Sequence, residues 1–180
     1  IKQKNLIIAP KLISSSISSV DLDAASRLFK STYGVETSII GEVLRASASP
    51  KKVAVDIMCH PSGIVHQLLS QLENHNMDQR NNAATTLRML VELGTDAIDF
   101  RPFACIVDMI SLDNNQIRSY KDYAFRRDCL QILAIAAERI PLDLQQHGVV
   151  KVLREQNFAP YDTLGASLAS LALRRIESVC

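Results

Sequence analysis

Apolar residues in this chain return every three or four positions, stretch after stretch, and that periodicity limits the folds open to it. The clearest stretch starts at Asp78, which reads as an N-cap. Ala83, Ala84, Leu87, Leu90 and Val91 then fall on one face of a helix, and Gly94 supplies a stop. Gln79, Arg80, Thr85, Arg88 and Glu92 fall mostly on the other face. Just upstream, Ser62 can cap a helix whose stripe is Val65, Leu68, Leu69 and Leu72. The link between the two, Asn74-His75-Asn76, is short and turn-like, so the helices should pack antiparallel as an αα-hairpin.

The arrangement recurs downstream. Pro102 opens a helix carrying Ile106, Val107 and Ile110, and the polar link Asp113-Asn114-Asn115-Gln116 ends it. A long helix follows over about residues 119–139, with Leu130, Leu133 and Ala134 as its stripe and Pro141 as its stop. After Gly148 come Val149, Val150 and Leu153, then a loop over residues 157–160. Asp162 caps a last helix with the stripe Leu164, Leu168, Leu171, Ala172 and Ile176. The second helices of these pairs superimpose. Leu87-x-x-Leu90-Val91 matches Leu130-x-x-Leu133-Ala134 and Leu168-x-x-Leu171-Ala172, at offsets of 43 and 38 residues. In the first helices Leu69, Ile110 and Leu153 are 41 and 43 apart. Two helices repeating in phase signal a stacked helical repeat with a period of about 40.

The first sixty residues are less regular. Residues 10–19 read as a short helix. Asp21 or Asp23 can cap another, with Leu22, Ala25, Leu28 and Phe29, stopped at Gly34. Ile39, Ile40, Val43 and Leu44 form the next, and Pro50 suits the first position of a helix with Val53, Val55, Ile57 and Met58. The alternation of Val53, Val55 and Ile57 would also suit a strand, but no partner strand is evident, so helix is preferred. Ala46-Ser47-Ala48-Ser49-Pro50 reads as a flexible link.

Composition narrows the function. With 47% hydrophobic residues the bulk of the chain can fold, and with 5% aromatics and no Trp its core must be Leu, Ile, Val and Ala. Twenty basic against 19 acidic residues leave a net charge of +1, so no global field favours nucleic acid or an anionic membrane. No apolar run approaches the ~20 residues of a membrane span. The basic N-terminal start runs into Ser14-Ser15-Ser16, which does not suit a secretory signal, and the first residue is not Met. Cys59, Cys105, Cys129 and Cys180 are far apart, and three lie in or beside apolar helical patterns. They read as small buried thiols of a reducing compartment, cytoplasmic or nuclear.

Catalytic signatures are missing. Cys59-His60 with His66 lacks the paired ligands of a zinc site. The sequences G-x-S-x-G, G-x-x-x-x-G-K and G-x-G-x-x-G do not occur. Asp96, Asp99 and Asp108 stand singly, as caps and solvated carboxylates do. The expectation is a protein that is not an enzyme and holds no cofactor. The densest cationic and aromatic cluster is Tyr120, Lys121, Tyr123, Arg126 and Arg127. It suits contact with an acidic peptide, Arg forking onto carboxylates and Tyr anchoring. It would equally suit a solvated face with Asp122 and Asp128 as local ion-pair partners.

Several phrases have a family cadence. Gly148-Val149-Val150-Lys151-Val152-Leu153 is similar to the opening of the third helix of an armadillo repeat, and Gly63-Ile64-Val65-His66-Gln67-Leu68-Leu69 is a second copy. Asn81-Asn82-Ala83-Ala84-Thr85-Thr86-Leu87 resembles the start of a following repeat. On these residues the chain resembles the armadillo/HEAT-like superfamily from about Gly41 onward, best over residues 62–176. The resemblance implies an all-α fold, a right-handed α–α superhelix of stacked repeats. Residues 1–180 would form a single domain, with irregular N-terminal helices over 1–60 and about three helix-pair repeats over 61–180. The rows of Trp, Asn or Lys found in importin and catenin grooves are missing, apart from Asn81 and Asn82, so a receptor for nuclear-localisation signals is not implied. The last hundred residues bear a faint resemblance to armadillo-like chaperones that help assemble the proteasome base.

By the same analogy the helices over 78–93, 119–139 and 162–178 would line a groove bearing Arg80, Asn81, Arg88, Arg126, Arg127 and Arg174. The opposite phase would place His66, Gln67, Lys151 and Arg154 there. The implied function is a protein-interaction scaffold for a helix or an extended, acidic peptide of a partner protein. An RNA- or DNA-binding repeat, a self-associating homo-oligomer and an assembly chaperone are the alternatives.

Overall fold

A computed structural model of the chain describes residues 36–61, 63–94, 99–111, 117 and 119–179. The helices expected over 10–19 and 21–34, the Ser62 cap, the link at 113–116, Asp96 and Cys180 lie outside these residues. The described part is helical throughout, without a strand. Its helices are α1 (Glu36–Ala46), α2 (Pro50–Met58), α3 (Ile64–Gln71), α4 (Met77–Gly94), α5 (Ile106–Ile110), α6 (Tyr120–Ala136), α7 (Pro141–Gln146), α8 (Val149–Glu155) and α9 (Thr163–Glu177). A 3-10 turn, Arg101–Cys105, runs straight into α5. None of the described helices is long and apolar enough to cross a membrane.

Local chemistry explains the boundaries. Pro50 opens α2, and burial of Val53, Ala54 and Ile57 follows the helical spacing rather than the alternation that would suit a strand. The stretch expected to be a flexible link is a tight turn, in which the Ser49 N–H donates to Ser47 Oγ at 3.0 Å. The cap of α4 is Asn76, not Asp78. Asn76 Oδ1 accepts from the backbone N–H of Asp78 at 2.9 Å and of Gln79 at 3.3 Å. Asp78 instead lies in the first turn, where a negative charge suits the positive end of the helix. Ser119 and Asp122 form a reciprocal capping box on α6. Asp162 caps α9 by accepting from the Gly165 N–H at 3.2 Å.

Two short helices begin differently. Gly63 and Gly148 precede α3 and α8 with φ of 66° and 74°, and neither helix has a side-chain cap. Both sit in the left-handed region that glycine enters without steric cost. The Gly-Ile-Val and Gly-Val-Val phrases therefore mark a backbone requirement. Pro141, expected only to stop α6, also opens α7. That helix has six residues and a single buried one, Leu144, too few for a stripe to show.

The three longest helices pack in order, α4 on α6 and α6 on α9, and α1 packs on α4. The shorter ones cover their flanks: α2 and α3 pack on α4, α5 on α6, and α7 and α8 on α9. The starts of α1, α4, α6 and α9 lie 41, 43 and 43 residues apart. One connected core runs from Ile40 to Ile176. Leu87, Leu90, Val91, Leu130, Leu133, Ala134 and Ala172 are buried in it, as are Leu69, Ile110 and Leu153. Leu168 and Leu171 are only partly covered. Of the cysteines, Cys129 is buried, but Cys59 and Cys105 are exposed. Cys59 is the C-cap of α2, and Cys105 ends the 3-10 turn on its outer side, so neither reaches the core.

Leu133 has no exposed surface, so Leu133→Ala should cost about 2–5 kcal/mol in a urea titration. Ser119→Ala, which opens the capping box, should cost about 0.5–2 kcal/mol. A Ser119→Ala midpoint equal to that of the parent would show that the box contributes nothing.

Candidate partner-binding surface

Because α4, α6 and α9 lie side by side, side chains on their outer ridges meet across the seams. Between α4 and α6, Lys121 pairs with Asp78, and Gln131 donates to Glu92. Asp128 accepts from Thr85 Oγ1 at 2.6 Å and from Arg88 Nε at 2.7 Å. Arg88 also reaches Glu92 at 2.9 Å. Between α6 and α9, the Arg175 guanidinium donates to the Ala134 carbonyl at 2.6 Å and pairs with Glu138. The hydroxyls of Tyr123 and Tyr161 are 2.6 Å apart. Apart from the Arg88–Glu92 pair within α4, each of these bridges joins residues 37 to 43 apart in sequence.

One connection is fully buried. Arg126 has no exposed surface, and neither has Asp162. Their charged groups are 3.4 Å apart, Arg126 Nη2 also reaches the Asn157 carbonyl at 3.5 Å, and its guanidinium lies 4.3 Å from the centre of the Phe158 ring. Burial pulls the Arg126 pKa below its ordinary value, with the Asp162 carboxylate acting against that pull. Arg127 Nε donates to the other oxygen of Asp162 at 2.6 Å. One carboxylate thus takes two guanidiniums and caps α9 as well.

These contacts change the reading of the cationic cluster. Arg126 turns inward toward the start of α9 and presents no surface to a partner, contrary to expectation. Arg127 is partly exposed but anchored on Asp162. The expected local ion-pair partners are engaged elsewhere, Asp122 in the capping box and Asp128 with Arg88. Lys121 is exposed and paired with Asp78. Arg80 lies over the ring of buried Phe125 at 4.3 Å, and Asn81 is partly covered beside it in sequence. Arg88 is a bridge between α4 and α6, and Arg174 is exposed near the end of α9. Of the opposite-phase residues, Arg154 pairs with Glu177 at 2.6 Å, while His66 and Lys151 are exposed on α3 and α8.

Large apolar and aromatic side chains are also open to solvent at the starts of α6 and α9. Tyr120 is 79% exposed at the start of α6, and Tyr123 lies one turn later. Tyr161, 70% exposed just before the cap of α9, meets Tyr123 edge to face, with ring centres 5.5 Å apart at 69°. Leu164 follows in the first turn of α9 and is 53% exposed. Tyr161 was not visible as a site residue in the sequence, where it follows a loop. Its separation of 38 from Tyr123 does equal the Leu130-to-Leu168 offset. Asp162 was visible as a cap but not as the partner of two arginines. Among the described residues no three His, Cys, Asp or Glu side chains are grouped to hold a metal ion.

Comparison of the chain with protein-family models, curated proteins and solved structures gives no match.

Asp162→Ala would leave a buried guanidinium uncompensated and should cost about 3–5 kcal/mol. Arg127→Ala, which leaves the Arg126–Asp162 pair intact, should cost about 1 kcal/mol or less. Denaturant titrations that rank the two equally would remove Asp162 from its central place.

Proposed function

We propose that this chain is a protein-interaction module of armadillo/HEAT-like build, a right-handed superhelix in which α4, α6 and α9 are equivalent helices of successive repeats. On this reading it recognises a helix or an extended peptide of a partner protein on the outer ridges of those helices. The near-constant spacing of helix starts and the order of packing support the repeat assignment. The observation that carries the functional reading is the exposure of Tyr120 and Tyr161 on helix starts fixed by a capping box and a buried ion pair. Exposed tyrosines on a rigid support are effective contact residues, because they bring large area and lose little conformational freedom on binding.

The test is to pan a library of displayed peptides against the chain and, in parallel, against a Tyr120→Ser/Tyr161→Ser variant. A shared motif should be enriched by the parent and lost in the variant. A Lys151→Ser change on α8 should leave the enrichment intact. No enrichment above background, or enrichment indifferent to both tyrosines, removes this reading.

A further inference from the structure

We propose that the tyrosine surface at the starts of α6 and α9 takes an uncharged, proline-rich extended segment of another protein; this rests on the peptide-binding reading above. Charge argues first. The cations around the tyrosines already have acidic partners within the chain, Lys121 with Asp78, and Arg126 and Arg127 with Asp162. An acidic peptide would have to compete with those carboxylates, one of them fully buried. A neutral segment has no such competition.

The rings argue second. Tyr123 and Tyr161 meet edge to face at 69°, with Tyr120 one turn away on α6 and Leu164 in the first turn of α9, so exposed ring surface is grouped at these helix starts. Exposed aromatic clusters pack well against the pyrrolidine rings of proline, and the polyproline helix arrives already extended, so little order is lost on docking. The hydroxyls argue third. In the pair of Tyr123 and Tyr161 hydroxyls 2.6 Å apart, one proton closes the bond between them. The proton of the other hydroxyl remains for an outside acceptor. A polyproline segment supplies such acceptors, because its carbonyls have no partner within their own chain.

Two short fluorescein-labelled peptides of equal length serve as probes in anisotropy titrations, one rich in proline without charged residues and one rich in glutamate. The proline-rich probe should bind saturably, and its affinity should change less than about threefold between low and high salt. Tyr161→Ala and Tyr120→Ala should each weaken it about tenfold, with helical circular dichroism unchanged. Tyr161→Phe, which keeps the ring and loses the hydroxyl, should fall between the parent and the alanine variant. Tight, salt-sensitive binding of the glutamate-rich probe alone would overturn the proline proposal and leave the peptide-binding reading standing. Proline-rich binding that ignores both alanine variants would overturn the assignment to this surface. Failure of both probes alongside a motif enriched from the library would overturn the proposal alone, and failure of the library as well would overturn both.

Discussion

Asp162 holds a place that no other polar residue of the described chain shares. It sits without solvent contact where α6 meets the start of α9, accepts from Arg126 and Arg127, and caps α9 through the Gly165 N–H. A carboxylate so placed cannot be removed without stranding Arg126 in a dry site beside Phe158, where an unpaired cation is costly. The same anchor lies beside the loop through Asn157 and Phe158, where Arg126 reaches the Asn157 carbonyl, and next in sequence to Tyr161. Hydrophobic burial supplies most of the driving force for the stack, and it is less directional than a hydrogen bond. The polar contacts along the two seams add directional restraint to the close-packed apolar faces.

The same polar contacts shape what the surface offers. Along the α4–α6 seam, Asp78, Asp128 and Glu92 answer Lys121, Arg88 and Gln131, and along the α6–α9 seam Glu138 answers Arg175. Lys121, Arg88, Arg126 and Arg127, which look like a recognition patch in the sequence, are thereby engaged within the fold, while Tyr120 and Tyr161 stay exposed at the helix starts. The proposed neutral, extended ligand rests on that contrast.

The stripes of α4 and α6 were legible in the sequence because each of these helices buries a continuous face, as Leu87, Leu90 and Val91 and then Leu130, Leu133 and Ala134 do. The stripe expected on α9 was not: its buried face is Gly165, Ala169, Ala172 and Ile176, small residues for the most part, while Leu164 is exposed and Leu168 and Leu171 are partly covered. The cap at Asp162 was legible because a local side chain satisfies local amides, whereas for α4 the sequence points to Asp78, two residues past the actual cap, Asn76. The helix α7 was not legible, because six residues hold too little of the period. The inward turn of Arg126 was not either. Its position at the edge of an apolar stripe looks the same whether the side chain reaches water or a carboxylate 36 residues ahead, and only the packing of α9 decides. Tyr161 illustrates the converse: it gains meaning from Tyr123, a neighbour that no local pattern announces.

The bridges between long helices also set a clock. Each joins side chains 35 to 43 residues apart, never the two ends of the chain. Closing a loop of that length is entropically modest, and it requires only one further unit of chain to be present. At a translation rate of about 5–20 residues per second, roughly forty residues emerge in about 2–8 s. Every long helix would therefore meet its docking face within seconds of leaving the ribosome, and the stack can be completed in the order in which it is made.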